Sequence, residues 1–150
     1  MKNWLSLLLF IVAVVGIGLV IGMFTTPGEW YANLEKPWFN PPGWVFGPVW
    51  TILYVLIAIA GWRVWTIVED SGLKSLWLTQ MVLNFLWSPA FFGIEMPTLA
   101  LVIIIAMLVT IYLFIAKSWN RDRTSGLLFL AYAAWVTFAT VLNLSIVVLN

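Results

Sequence analysis

The chain has 150 residues, 63% of them hydrophobic and only 9% charged, with a formal net charge of +1 and a mean hydropathy of +1.04. A water-soluble domain carries about a quarter charged residues, so this composition predicts an integral membrane protein, and the small net charge leaves no electrostatic case for nucleic acid. Cysteine and histidine are absent, which removes thiolate or imidazole metal sites, Cys–His catalysis and the common haem axial ligands.

Five apolar runs follow in order, at about residues 4–24, 44–67, 75–93, 98–117 and 125–148, each close to the ~20 residues that a bilayer core demands of a helix. They predict one domain over residues 1–150, an all-α bundle of five transmembrane helices. The first run, Trp4 to Phe24 behind Lys2, exceeds the ~7–15 residues of a signal-peptide core and is read as a retained helix. Thr25-Thr26-Pro27-Gly28 ends it.

The next stretch, WYANLEKPWFNPPGWVFGPVW from Trp30 to Trp50, cannot continue a helix through its first half. Pro37, Pro41 and Pro42 each lack an N–H and fix φ. With Trp30, Trp38, Trp44 and Trp50 it is too aromatic for an idle linker. It reads as a structured cap over one mouth of the bundle, its tail from Trp44 opening the second spanning helix. Glu69-Asp70-Ser71-Gly72 ends that helix, Gly93 to Pro97 turns between the third and fourth, and Ser118 to Arg123 separates the fourth and fifth, with Thr124 or Ser125 as the expected N-cap. No internal repeat is visible, and an odd helix count argues against paired inverted repeats.

Lys2, Arg63, Lys74, Lys117, Arg121 and Arg123 fall on the side of the N-terminus, and only Lys36 on the other. The positive-inside rule therefore puts the N-terminus and the second and fourth connections inside, and the cap, the Ile94–Pro97 turn and the C-terminus outward. Charge alone does not say which membrane holds the chain. No ionisable group lies in mid-span, and Arg63, near an end, can snorkel. That argues against a proton-driven pump or an ion channel, which need intramembrane charge.

The spans hold aromatic rings and neutral polar groups instead. Gln80, Asn84, Trp87, Ser88 and Phe91 recur at steps of three and four and share a helix face, as do Gly47, Trp50, Tyr54, Ala58 and Gly61, and Trp135, Ala139, Leu142 and Asn143. Gly16, Gly18 and Gly22 leave room on the first helix. Gly18 and Gly22 could equally form a dimer seam, a close internal packing or a pocket wall. The fourth helix, Leu99 to Phe114, has almost no polar face and is expected to meet lipid. Trp4, Trp30, Trp38, Trp62, Trp65, Trp77 and Trp119 fit headgroup level. Trp50, roughly 9 Å into its helix at 1.5 Å per residue, and Trp87 and Trp135 lie deeper, where an indole N–H needs a partner. Core packing with interhelical glue explains any one of them. Together with Asn84 and Asn143, beneath a Pro/Trp cap, they predict an aromatic ligand pocket.

Three strings, Trp30–Trp50, LNFLWSP (Leu83–Pro89) and AAWVTFATVLN (Ala133–Asn143), resemble the TspO/translocator protein family, also called tryptophan-rich sensory proteins or peripheral benzodiazepine receptors. The resemblance covers nearly the whole chain. It implies a five-helix bundle, usually a homodimer, with a pocket for porphyrins (protoporphyrin IX, haem) and for synthetic isoquinoline carboxamide or benzodiazepine ligands. No resident cofactor is required. Bacterial members are linked to regulation of tetrapyrrole metabolism, and some promote light-dependent breakdown of protoporphyrin. By motif, Trp50 and Trp135 match the tryptophans associated with that breakdown. Tyr31, Pro41, Tyr54, Asn84, Trp87, Ala139 and Leu142 match ligand-pocket positions; Gly18, Gly22, Trp38, Ser88 and Asn143 complete the candidate set. Animal members bind cholesterol through a terminal Leu/Val–Tyr–Lys/Arg pattern. The segment VLNLSIVVLN (Val141–Asn150) has neither the Tyr nor the basic residue, so sterol binding is not expected. Three functions compete on these grounds: a porphyrin-binding sensor or scavenger, a transporter of tetrapyrroles or other apolar molecules, and a light-dependent enzyme.

Overall fold

The structure is a computed structural model that describes residues 2–150; Met1 and the side chain of Lys2 lie outside the described residues, and with them one of the cations that orient the chain. Among the described residues six α-helices form: α1 (Lys2–Phe24), α2 (Glu29–Ala32), α3 (Phe46–Arg63), α4 (Ser71–Ser88), α5 (Pro97–Arg121) and α6 (Arg123–Leu149). No strand occurs among the described residues. A 3₁₀ turn, Gly43–Val45, leads into α3. Both α3 and α4 widen into π turns, Val64–Val68 and Pro89–Gly93. In the second case Pro89 cannot donate to the preceding turn, and the helix relaxes there into the wider register.

Among the described residues four stretches are long and apolar enough to cross a membrane: Asn3–Phe24, Gly43–Val68, Pro97–Arg121 and Arg123–Leu149. The expected fifth is α4, which stops short of that measure. Lys74, Gln80, Asn84 and Ser88 dilute its apolar content, and Gln80 and Asn84 are turned into the bundle and buried.

The helices form a ring in which α1 packs on α3, α3 on α6, α6 on α5 and α5 on α4, and α4 only brushes α1. α5 has one buried face and one exposed face. Ala100, Ile104, Met107, Thr110, Ile111, Phe114 and Ser118 form a buried stripe at steps of three and four, with Val102, Ile105, Val109 and Leu113 on the exposed side.

One end of the bundle collects the charges. Arg63 forks onto Asp122, with Nε and a terminal nitrogen each 2.9 Å from a carboxylate oxygen, so it is paired there instead of snorkelling. Asp70 caps α4 by accepting from the Leu73 N–H at 2.9 Å and meets Arg121 at 2.7 Å. The N-cap of α6 is Asp122, one residue before the helix, and not Thr124 or Ser125; the Ser125 hydroxyl donates to that carboxylate at 2.5 Å. The Leu73 N–H, with Lys117 and Arg121 behind it, holds the Asp70 carboxyl below the usual carboxylate range. The Arg63 guanidinium does the same for Asp122.

Trp77 departs from its expected place at headgroup level. It is buried, its indole N–H donates to the Ile57 carbonyl at 2.9 Å, and its ring lies against Gly61, where any side chain would collide with it.

Candidate ligand-binding site

The far end of the ring is closed by the segment between α1 and α3. Its short helix α2 sets Trp30 and Tyr31 edge-on against Phe91, with centroids 5.8 and 6.2 Å away, and Tyr31 against Phe92 at 5.3 Å. Asn150, beyond α6, grips the same segment reciprocally. Its Oδ1 accepts from the Glu35 N–H at 3.0 Å and its Nδ2 donates to the Glu35 carbonyl at 2.9 Å. Lys36 folds back over the Tyr31 ring at 4.6 Å and donates to the Ala32 and Leu34 carbonyls at the end of α2.

Beneath this cap lies a cavity of about 560 Å³, within the range typical of small-molecule sites. All the long helices contribute to it. Gly18 and Gly22 come from α1, Trp50 and Tyr54 from α3, Asn84, Trp87 and Ser88 from α4, Trp135, Ala139, Leu142 and Asn143 from α6, and Tyr31 and Pro41 from the cap. The structure thus brings together every candidate site residue except Trp38, which is 95% exposed on the outer surface of the cap. Gly18 and Gly22 both line the cavity, and Gly18 is also closely packed inside the bundle. Gly18 lies against the Tyr54 ring, so a Cβ there would collide with it, and Gly22 has open space where a Cβ would point.

Sequence reasoning missed several walls: Asn40 and Phe46 near the mouth, Phe92, and Ile104 with Met107 on α5. It also missed Tyr132, which lies three residues before Trp135 and seven before Ala139, on the same helix face.

Tyr132 is the hub of a polar network under the cavity floor. Its hydroxyl donates to Gln80 Oε1 at 2.8 Å and accepts from Asn84 Nδ2 at 2.7 Å. Gln80 Nε2 donates to the Trp77 carbonyl at 2.8 Å. Asn84 Oδ1 then has only the Tyr54 hydroxyl, at a long 3.4 Å. Asn143 is pinned likewise: Nδ2 donates to the Pro97 carbonyl and Oδ1 accepts from Trp87 Nε1, both at 2.9 Å. Thr25 and Ser88 hydroxyls pair at 2.6 Å. Each asparagine amide therefore spends one of its two N–H donors on the protein. Trp135 Nε1 is the exception, a buried donor without a partner among the described residues.

The arrangement is an aromatic, mostly apolar chamber with a few fixed polar atoms. No cluster of metal-ligating side chains exists among the described residues. Residues 9–149 match the TspO/MBR family. The chain belongs to the TspO/MBR family. Over 152 aligned residues it is 43% identical to the tryptophan-rich protein TspO of Archaeoglobus fulgidus, covering 99% of both chains. It is 37% identical to the tryptophan-rich sensory protein of Cereibacter sphaeroides, over 99% of this chain and 93% of that protein. The human translocator protein is 32% identical over 85% of this chain and 80% of its own length. The apolar helices and the family together make this TspO/MBR chain an integral membrane protein.

Proposed function

We propose that the chain is a membrane receptor for porphyrins, with protoporphyrin IX or haem held in the chamber beneath the cap. The single observation that carries this reading is the convergence of Tyr31, Trp50, Tyr54, Trp87 and Trp135 on one cavity of about 560 Å³. A porphyrin is a flat, apolar π-system, and each ring stacked on it adds about 0.5–1.5 kcal/mol beyond area burial. Its two carboxylates favour the mouth, where Lys36 stands over Tyr31. The chain has no His or Cys to ligate iron, so stacking carries the affinity and no resident cofactor is needed.

In the membrane α4 crosses as the fifth spanning helix, extended by the Pro89–Gly93 turn and shielded by its neighbours. The cap and Asn150 face outward and the basic end faces inward. A second copy of the chain is the expected partner, and cholesterol is not an expected ligand. Under light and dioxygen, Trp50 and Trp135 are the indoles through which bound porphyrin is oxidatively broken down, in a role distinct from acid–base catalysis.

The test is a titration of the reconstituted protein followed by tryptophan fluorescence. Metal-free protoporphyrin binds at least as tightly as haem. A Trp50→Phe/Trp135→Phe double variant keeps binding and loses the light-dependent product. Haem binding far more tightly, with a six-coordinate spectrum, contradicts stacking; undiminished breakdown in the double variant contradicts the role of the indoles.

A further inference from the structure

Trp135 lines two hollows at once. One is the internal cavity; the other is a shallow apolar groove of about 440 Å³ on the outside of the bundle, between α3 and α6. Val49, Ile52 and Leu53 form one bank of that groove, and Ala131, Ala134 and Phe138 the other. Ile52, Ala131 and Ala134 are exposed. Both helices belong to stretches long and apolar enough to cross a membrane, so the groove opens toward hydrocarbon.

Trp135 is also less anchored than two other indoles of the bundle. Trp77 and Trp87 are tied through their N–H groups to Ile57 and Asn143. The Trp135 N–H is buried and bonded to nothing. What holds the ring are edge-on and tilted contacts with Phe46 at 5.8 Å and Phe138 at 5.6 Å. Swinging the indole between rotamers therefore breaks no hydrogen bond, and a freed N–H can gain one. On the outer side, Ala131 and Ala134 present only methyl groups to the path.

We infer that this groove is the lateral route by which a planar apolar ligand dissolved in the bilayer reaches the cavity, with Trp135 as its door. The inference rests on the porphyrin reading of the chamber. Such a ligand is already out of water. A route past the cap would return its apolar face to the aqueous side, at a cost proportional to the area exposed. The lateral route keeps that face in hydrocarbon throughout.

A door changes rates and leaves the equilibrium alone. The experiment is stopped-flow tryptophan quenching by protoporphyrin IX, with the protein in phosphatidylcholine nanodiscs. Ala134→Phe and, independently, Ala131→Phe put a ring in the groove without touching the cavity. Each slows association and dissociation together, by about tenfold, with Kd unchanged. Trp135→Ala removes the door and speeds association, whatever it does to Kd. Val102→Phe, on the exposed side of α5, changes neither rate. Wild-type rates in both groove variants overturn the route, as does a raised Kd with normal association. If the wild type fails to bind protoporphyrin at equilibrium, the porphyrin reading itself falls, and the route falls with it; normal equilibrium binding with unaltered rates sinks the route alone.

Discussion

At the scale of single residues, the site depends on groups that never touch the cavity's contents. Asn84 presents its oxygen inward because Tyr132 holds its nitrogen, and Tyr132 is held in turn by Gln80. Removing one hydroxyl leaves two buried polar atoms short of a partner. Tyr132→Phe should therefore destabilise the protein by about 1–3 kcal/mol, read as a lower midpoint of thermal unfolding, and it should weaken ligand binding because the Asn84 amide is freed to rotate. A Tyr132→Phe protein as stable as the wild type would show that the network is idle. The aromatic stripes that point into the cavity were legible from spacing alone, since steps of three and four place side chains on one face. Tyr132 obeyed the same spacing but carried no distinguishing mark, because a tyrosine on a helix says nothing of its partner until Gln80 is brought across from another helix. Trp77 was misplaced for the same reason: its burial follows from Gly61 on α3, which lets the ring approach.

At the scale of elements, the helix ends are fixed by side chains whose charge state matters. Asp122 joins α3 to the α5–α6 turn through Arg63, and that guanidinium keeps its pKa below the unfolded value of about 3.9. The stabilisation from a depressed carboxylate is complete above the unfolded pKa and is lost as pH falls through the folded one. Asp122→Asn should thus lower the unfolding midpoint at neutral pH and converge with the wild type only as pH falls through the depressed folded pKa, where the native carboxyl is itself neutral. A constant difference across that range would contradict the assignment. At the opposite end, Asn150 clasps Glu35. Asn150→Ala should raise amide hydrogen exchange across residues 29–42 while leaving α5 protected. Unchanged exchange in the cap would show that the ring contacts of Trp30 and Tyr31 suffice to hold it. The element boundaries themselves were largely predictable from Pro, Gly and charge clusters. The π turns at Val64–Val68 and Pro89–Gly93 were not: Val64–Val68 holds no Pro or Gly to mark it, and Pro89 signals an interruption without saying that the helix widens.

At the scale of the whole molecule, composition alone announced a membrane protein. What it could not supply is how a polar α4 is accommodated. Among the described residues four helices meet the measure for crossing, and α4 is housed by turning Gln80 and Asn84 into the ring. The same inward polar stripe that lowers its hydropathy furnishes the floor of the cavity, so fold and site share one cause. The chamber's existence was foreshadowed by deep indoles beneath a proline-rich cap. Its walls from α5 were not, because Ile104 and Met107 look like any other apolar residues of a spanning helix.

The central claim is that this chamber, and no outer surface, holds the ligand. Ala139 lines it, next to Trp135 on α6. Ala139→Trp fills the space from within, and equilibrium titration with protoporphyrin IX reads the consequence directly. With a thermal midpoint near that of the wild type, the variant should lose about 100-fold or more in affinity. A folded Ala139→Trp protein that binds protoporphyrin as tightly as the wild type would place the ligand elsewhere and contradict the account.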